Sequence, residues 1–439
     1  MALVGLAIAL GGGGTVNPRT EMVLQVLTAL IMIPLVASTE WQRGLGSVQR
    51  PAWLLAALVL LMPVLHLVPL PPALWQKLPG RAIEVQSLAL IGADQSWMPL
   101  TMAPARTFAS LLAIICPVLL MLQVSRLSLR GRNWLFAVIV IGGFISLALG
   151  VLQLSHTGGF DWSLYSEFSA GTLVGFQANR NAESDFLLIA LLAMGALATN
   201  RLSDGRHHAL TWAGLFLGSM SIMVGLFMTG SRTGISLAAP ALLFFAAILW
   251  PRLRLRRIST FWFGGGAAAL VLGGALLLQA QSMQKVLARF WLTKEARWDL
   301  WADTWYAMGQ VWPFGSGIGT IVPMLEAAER LEVVDQTRPV RAHNDWLEWL
   351  LEAGLPGVFV LGAILLVVGY LIVRAIMMAN RSDTAAARRA QILFSCGVLT
   401  IEALHSIVDY PMRSMSLAML TALAVALLME PAAPQRNRQ

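Results

Sequence analysis

The stretch RAHNDWLEWLLEAGLPG, residues 341 to 357, gathers Arg341, His343, Asn344, Asp345, Glu348 and Glu352 in a chain that otherwise spends charge sparingly. Histidine changes charge most easily near neutral pH, so His343 could take a proton from an attacking hydroxyl. An isolated histidine at such a junction serves equally well as a structural hydrogen-bonding group. Three further polar groups shift that balance. GFQANRNAESDF places Arg180 between Asn179 and Asn181, TGSRTG places Arg232 in a tight turn, and LHSIVDYPMR with the Glu402 just before it spaces Glu402, His405 and Asp409 at i, i+3 and i+7, with Arg413 at its end. Any one of these could be a helix-end ion pair. Together with Arg297 they bring Arg180, Arg232, Arg341 and Arg413 to one membrane surface, and guanidinium groups so placed point to an anion. A lipid-linked phosphate or pyrophosphate suits that depth. Asp345, Glu348 or Asp409 could then tune the histidine, and none of the acid clusters has a compelling metal-ligand spacing.

The elements that must hold these groups are membrane spans. Of 439 residues 57% are hydrophobic and 12% charged, with a mean hydropathy of +0.69, against about 25% charge in soluble domains. Apolar windows long enough to cross ~30 Å of hydrocarbon recur near 22–40, 51–69, 103–124, 133–154, 184–199, 208–229, 231–250, 259–279, 354–376, 389–409 and 411–430. The N-terminal ALVGLAIAL is about half the required length, a weak twelfth span or a buried stub. There is no basic, cleavable leader pattern. Cys116 and Cys396 fall inside spans and read as small core residues.

Basic residues collect in alternate short loops, around Arg43 and Arg50, Arg126 to Arg132, Arg201 and Arg206, Arg252 to Arg257, and Arg374 to Arg389. The positive-inside rule places those loops and both termini in the cytoplasm. The net charge of +8 is therefore a topology signal and an attraction to anionic membrane lipids, not a nucleic-acid footprint. The opposite loops are longer and rich in Trp, Pro and Gly. In the largest, from about 280 to 343, Trp298, Trp301, Trp305 and Trp312 suggest an interfacial amphipathic helix. PFGSGIG, residues 313 to 319, reads as a flexible turn, and Gly354 and Pro356 should bend the helix that Asn344 or Asp345 caps. The expected organisation is transmembrane helices over 1–279, a large loop or lid over 280–343, and an interfacial helix with the last three spans over 344–439.

Taken together, ANRNAESDF, GSRTG, WPFGSGIG, RAHNDWLEWLLEAGLPG and LHSIVDYP resemble the motifs of the O-antigen ligase and polymerase family, and SWMPLTMAPART resembles its approach to a span. The resemblance covers about residues 70 to 430. It implies an all-α polytopic membrane protein of about 12 transmembrane helices with one large periplasmic loop, GT-C-like, in the bacterial inner membrane. It also implies a metal-independent inverting glycosyltransferase without cofactor, whose donor is an undecaprenyl-pyrophosphate-linked glycan and whose acceptor is lipid A-core or another glycan. In such an enzyme His343 is catalytic, Arg180, Arg232, Arg297 and Arg341 hold the pyrophosphate, and Asn179, Asn181, Asn344, Asp345, Glu348, His405 and Asp409 support them. Where the family often continues with His and Phe after ANRN, this chain has Ala182 and Glu183. Ligase, polymerase and protein-glycosylating branches are not separated by these residues. A transporter of the same lipid-linked glycan is the rival from another class, although its ionisable groups would be expected near the bilayer midplane in repeated halves.

Overall fold

The computed structural model describes residues 1–14, 17–37, 48–155, 162–202, 208–254, 296–334, 338–379 and 385–432. Hydrocarbon offers the backbone no hydrogen-bond partners, so a chain this apolar must satisfy its own, which helices do. The helices are α1 (Ala2–Leu10), α2 (Pro18–Ala37), α3 (Arg50–Leu67), α4 (Pro104–Ser125), α5 (Leu129–Ser155), α6 (Arg180–Arg201), α7 (His208–Thr229), α8 (Arg232–Arg254), α9 (Ala296–Val311), α10 (Ile321–Ala328), α11 (Asp345–Ala379), α12 (Ala385–His405) and α13 (Met415–Leu428). Two shorter helices, Pro72–Trp75 and Ala82–Leu90, lie in the loop between α3 and α4, where β1 (Pro69–Leu70) pairs antiparallel with β2 (Met98–Pro99).

Among the described residues seven helices are long and apolar enough to cross a membrane: α3 to α8 and α11. This is a multipass membrane protein. The expected windows at 389–409 and 411–430 are helices too, but α12 carries Arg388, Arg389 and Glu402, and α13 has only 14 residues. The window at 259–279, and the part of the large loop up to residue 295, lie outside the described residues. The N-terminal stub is helical over nine residues, a length of about 14 Å and so near half of a bilayer core. It packs against α5 and α13, and the chain leaves it at Gly11.

α6 is the axis of the bundle. It packs against α5, α7, α8 and α12, and most of its residues from Ala182 to Thr199 are buried. Apolar side chains such as Phe186, Leu187, Leu188 and Leu191 fill its surroundings, with none exposed to solvent or lipid. Its first turn carries Glu183, Ser184 and Asp185, also fully buried. The Ser146 hydroxyl donates its one proton between the two carboxylate oxygens of Glu183, 2.7 and 2.9 Å away.

The two ends of the bundle differ in chemistry. At one end the last carbonyls of α13 face two buried arginines. Arg132 donates to the carbonyls of Leu427, Met429 and Glu430 at 3.1, 2.8 and 3.0 Å, and Arg388 donates to Leu427 and Leu428. Cations at a helix C-terminus satisfy carbonyls that the helix leaves unpaired and oppose its dipole favourably. Arg50, Arg126 and Arg374 gather around Glu430 at the same end, so three of the basic segments that the sequence groups together meet here.

At the other end α11 breaks. Gly354 has φ 57° and ψ −155°, separating a short arm, Asp345 to Ala353, from the span that follows. The break frees carbonyls of the last turn, and the 313–319 turn takes them: Ser316 N–H donates to Leu351 at 3.1 Å and Gly317 N–H to Glu352 at 2.9 Å, while Leu355 N–H returns a bond to Pro313 at 2.8 Å. A side chain at Gly354 would place its Cβ 2.3 Å from the Pro313 carbonyl oxygen. PFGSGIG, expected as a flexible turn, is a fixed clasp. α9 and α10 pack on the α11 arm, with Trp298 and Trp305 exposed and Ala307, Met308 and Val311 buried.

Replacing Arg132 with Met takes the guanidinium from the Met429 carbonyl and halves the donors at Leu427 and Glu430, which keep Arg388 and Gln49. The variant should be destabilised by about 3 kcal/mol, read as a lower unfolding midpoint in detergent, whereas Arg130→Met, in an exposed position, should be neutral.

Candidate active site

The clasped end assembles the polar groups. α6 begins at Asn179, whose side chain accepts from the Asn181 backbone N–H at 2.8 Å, the short polar cap that a helix start needs. Arg180 is the first helical residue. α11 begins likewise: the Asn344 carboxamide oxygen accepts from Leu347 N–H at 3.0 Å. Its Asp345 N–H is bound by the carbonyls of Ser406 and Asp409 at 2.9 and 3.2 Å, so the start of α11 is fastened to the turn that follows α12.

His343, just before that helix, has φ 51°, a left-handed conformation that side chains with a Cβ adopt rarely and at a cost. Tertiary contacts hold it there. Its Nδ1 lies 2.9 Å from Asp409 Oδ1, and its ring meets Tyr410 edge-on with centroids 4.9 Å apart.

A buried charge network fixes the backbone beneath. Arg413 reaches Glu352 Oε2 at 3.0 Å, Glu348 Oε2 at 3.3 Å and Asp345 Oδ1 at 3.6 Å. Burial disfavours the Arg413 charge, but these three carboxylates outweigh it and raise its pKa. Glu348 also accepts from Arg341 at 3.1 Å and from Ala342 N–H at 3.0 Å, and Glu352 accepts from Ile321 N–H at 3.1 Å. The three acids that the sequence places on one helical face therefore hold the loops on either side of His343. Asp409, not Asp345 or Glu348, is the carboxylate that touches it.

Above His343 opens a cavity of about 510 Å³. Asn179, Arg180, Asn181, Arg297, His343, His405 and Asp409 all line it, together with Gly12 to Gly14 and the 167–170 loop. Arg297 enters from the first turn of α9, and its charge is felt by both Asp409 and His405. Arg341 stands next to the cavity with its guanidinium on Glu348. Asn344, Asp345 and Glu348 lie behind His343 as supports rather than as walls. Arg232 starts α8 at the same end, where a Cβ at Gly234 would meet Ser184 of α6, but it does not line the cavity.

Two contributors escape the sequence reading. The glycines after α1 form part of the wall, with Gly12 so close to Phe176 that a Cβ would lie 2.1 Å from its carbonyl oxygen. Asp185 falls inside the apolar window at 184–199, yet both its carboxylate oxygens lie 2.7 Å from His405 Nδ1. Its signal was available: Asp185 follows Asn181 by one helical turn and so shares its face. Glu402, grouped with His405 and Asp409 in sequence, is buried one turn back, with neither carboxylate oxygen hydrogen-bonded.

Chemically, an Asp409 carboxylate on Nδ1 holds the neutral imidazole with its proton on that nitrogen, leaving Nε2 as a base. Two cationic side chains and carboxamides share the same space, an arrangement suited to a negatively charged group beside an activated hydroxyl.

Residues 213–362 match the model of the O-antigen ligase family, so the family resemblance read from the motifs is supported over that segment. The match contains Arg232, Arg297, Arg341 and His343, while Arg180, Asp185, His405 and Asp409 come from outside it. No curated protein matches the chain.

Burial alone would raise the Asp409 carboxyl; the hydrogen bond and charge of His343, with His405 and Arg297, outweigh it and hold the pKa at about 2. Because that lies below the ordinary value near ~3.9, Asp409 contributes stability that is complete above about pH 4 and is lost as pH falls through about 2. Asp409→Asn should be less stable at pH 6 and should lose less of its unfolding temperature between pH 5 and pH 3 than the wild type. Equal slopes would show that the pair contributes nothing.

Proposed function

Starting from a multipass membrane protein with an O-antigen ligase domain, we propose that the chain is an inverting glycosyltransferase of the bacterial inner membrane. It moves a glycan from undecaprenyl pyrophosphate to a lipid A-core acceptor on the periplasmic face. The convergence of His343, Arg180 and Arg297 on one cavity carries this reading.

The donor's pyrophosphate lies against Arg180 and Arg297 with its polyprenyl tail in hydrocarbon, and Arg341 and Arg232 add positive potential from the flanks. A volume of about 510 Å³ takes a diphosphate and the first sugar, leaving the rest of the glycan outside. The acceptor hydroxyl approaches Nε2 of His343, which removes its proton as the oxygen attacks the anomeric carbon from the side opposite the phosphate. The bond from that carbon to the pyrophosphate oxygen breaks, its electron pair stays on the leaving group, and the arginines stabilise the charge that grows there. Configuration inverts in this single displacement. Asp409 holds the histidine's orientation and balances the imidazolium that forms, while Asn179 and Asn181 bind uncharged donor oxygens. The positive charge that such a leaving group needs is present in the guanidinium groups themselves.

The test is reconstitution in proteoliposomes with a lipid-pyrophosphate glycan and alternative acceptors. Glycan on lipid A-core establishes the ligase reading, and a lengthened carrier-linked chain would establish a polymerase at the same site. Glycan crossing the bilayer with no new glycosidic bond would make the protein a transporter. His343→Ala should lower transfer by roughly 10²-fold or more, and wild-type rates in that variant would sink the mechanism. Arg180→Ala or Arg297→Ala should cost on the order of tenfold in kcat/KM.

A further inference from the structure

Beside the dyad of His343 and Asp409, on the wall of the same cavity, lies a second pair of the same composition, Asp185 and His405, that the mechanism above does not use. Asp409 spends one oxygen on His343, 2.9 Å from Nδ1, and turns the other toward Asn181 and toward Nε2 of His405 at 3.9 Å. His405 is 1% exposed, and its Nδ1 is anchored 2.7 Å from both oxygens of Asp185, itself fully buried. The Nε2 atom of His405 is buried with no hydrogen-bond partner. Two helices, α6 and α12, thus bring a ring alongside Asp409, with one nitrogen pinned and the other 3.9 Å from it.

Resting on the proposed transferase reading, we propose that Asp185 and His405 are positioning residues of this site: Asp185 orients His405, and His405 holds Asp409 as the carboxylate that fixes His343. His405 is hydrogen-bonded to Asp185 at Nδ1 and lies 3.9 Å from Asp409 at Nε2, within reach of charge attraction though not of a hydrogen bond, so a positive ring is complementary to both carboxylates. The cationic ring then shares Asp409 with His343. The shared carboxylate keeps His343 oriented without binding the imidazolium so firmly that the proton cannot leave after each turnover.

Among the described residues the other groups facing this array include Tyr410, beside Asp409 and His343. Asp409 faces His343, His405, Asn181 and the Arg297 charge; His405 faces Asp185, Asp409 and the Arg297 charge; Asp185 faces His405, Asp409 and the buried Glu402. Removing the His405 charge gives Asp409 wholly to His343, so protonated His343 is held more tightly. Activity that requires neutral His343 must then fail at a higher pH.

The test compares wild type, Asp185→Asn, His405→Gln and Asp185→Glu, purified in detergent and reconstituted with the lipid-pyrophosphate glycan donor and the acceptor that the wild type uses. Outer partners of a working side chain commonly cost about 10- to 100-fold when removed. Asp185→Asn and His405→Gln should each lower kcat to that extent, leave donor KM within about twofold, and displace the acid limb of kcat/KM to higher pH. Asp185→Glu should restore the wild-type pH profile. Wild-type kcat and an unmoved acid limb in either folded variant would overturn the proposal. A uniform loss of folded protein in Asp185→Asn leaves His405→Gln to decide the matter by its pH profile. His343→Ala in the same assay separates the two failures: if it transfers normally the transferase mechanism itself is wrong, whereas an inactive His343→Ala beside an unaltered Asp185→Asn and His405→Gln removes only the positioning pair.

Discussion

The buried contact of Arg413 with Glu348, Glu352 and Asp345 is the constraint on which the site end of this protein depends. Four charges are taken out of water together, and such a group is tolerable only when every member finds partners. Here the leftover acceptor capacity of the acids is spent on backbone: Glu348 on Ala342, Glu352 on Ile321, and Asp345 on Met412. Satisfying the charges and placing the loops are thus one act. The residue before α11, the start of α10 and the turn after α12 are tied to one guanidinium, and His343 stands where they meet.

This explains how a histidine is kept in a left-handed conformation. Local preference opposes it, but the chain before His343 is fixed through Glu348 and the chain after it through the α11 cap, leaving the connecting residue little choice. The ring is then clamped by Asp409 and Tyr410. The broken helix serves the same end. A continuous α11 would carry its polar arm along the axis of the span, whereas Gly354 separates the two and the 313–319 clasp consumes the carbonyls so exposed.

Much of this was legible beforehand, for particular reasons. Long apolar windows announce spans because hydrocarbon thickness sets a length, and Gly354 followed by Pro356 announced the break. The arginines, asparagines and histidine that meet in the cavity stood out because charge is costly in such a chain. What could not be read was pairing. His343 might have partnered Asp345 or Glu348 as easily as Asp409, since all are acids near a helix end. Only the packing of α12 against α6 and the turn after it decides the matter. Asp185 was hidden because a window average dilutes one acid among leucines, and Gly12 to Gly14 because a wall made of backbone leaves no chemical signature. α12 and α13 show the opposite limit: contact with other helices lets them be more polar or shorter than a lipid-facing span.

The central helix also bears on how the chain is made. α6 carries Glu183 and Asp185, and the histidine that complements Asp185 arrives 220 residues later. Both acids lie within the first two turns of α6, nearer its end than its middle, where an acid costs less than at the centre of a span, but newly synthesised α6 has no His405 to complement Asp185. Glu183 finds Ser146 on α5, the helix made just before it, whereas Asp185 gains its partner only once α12 has been translated. The contacts of the innermost helix are therefore completed by one of the last segments of the chain to be made.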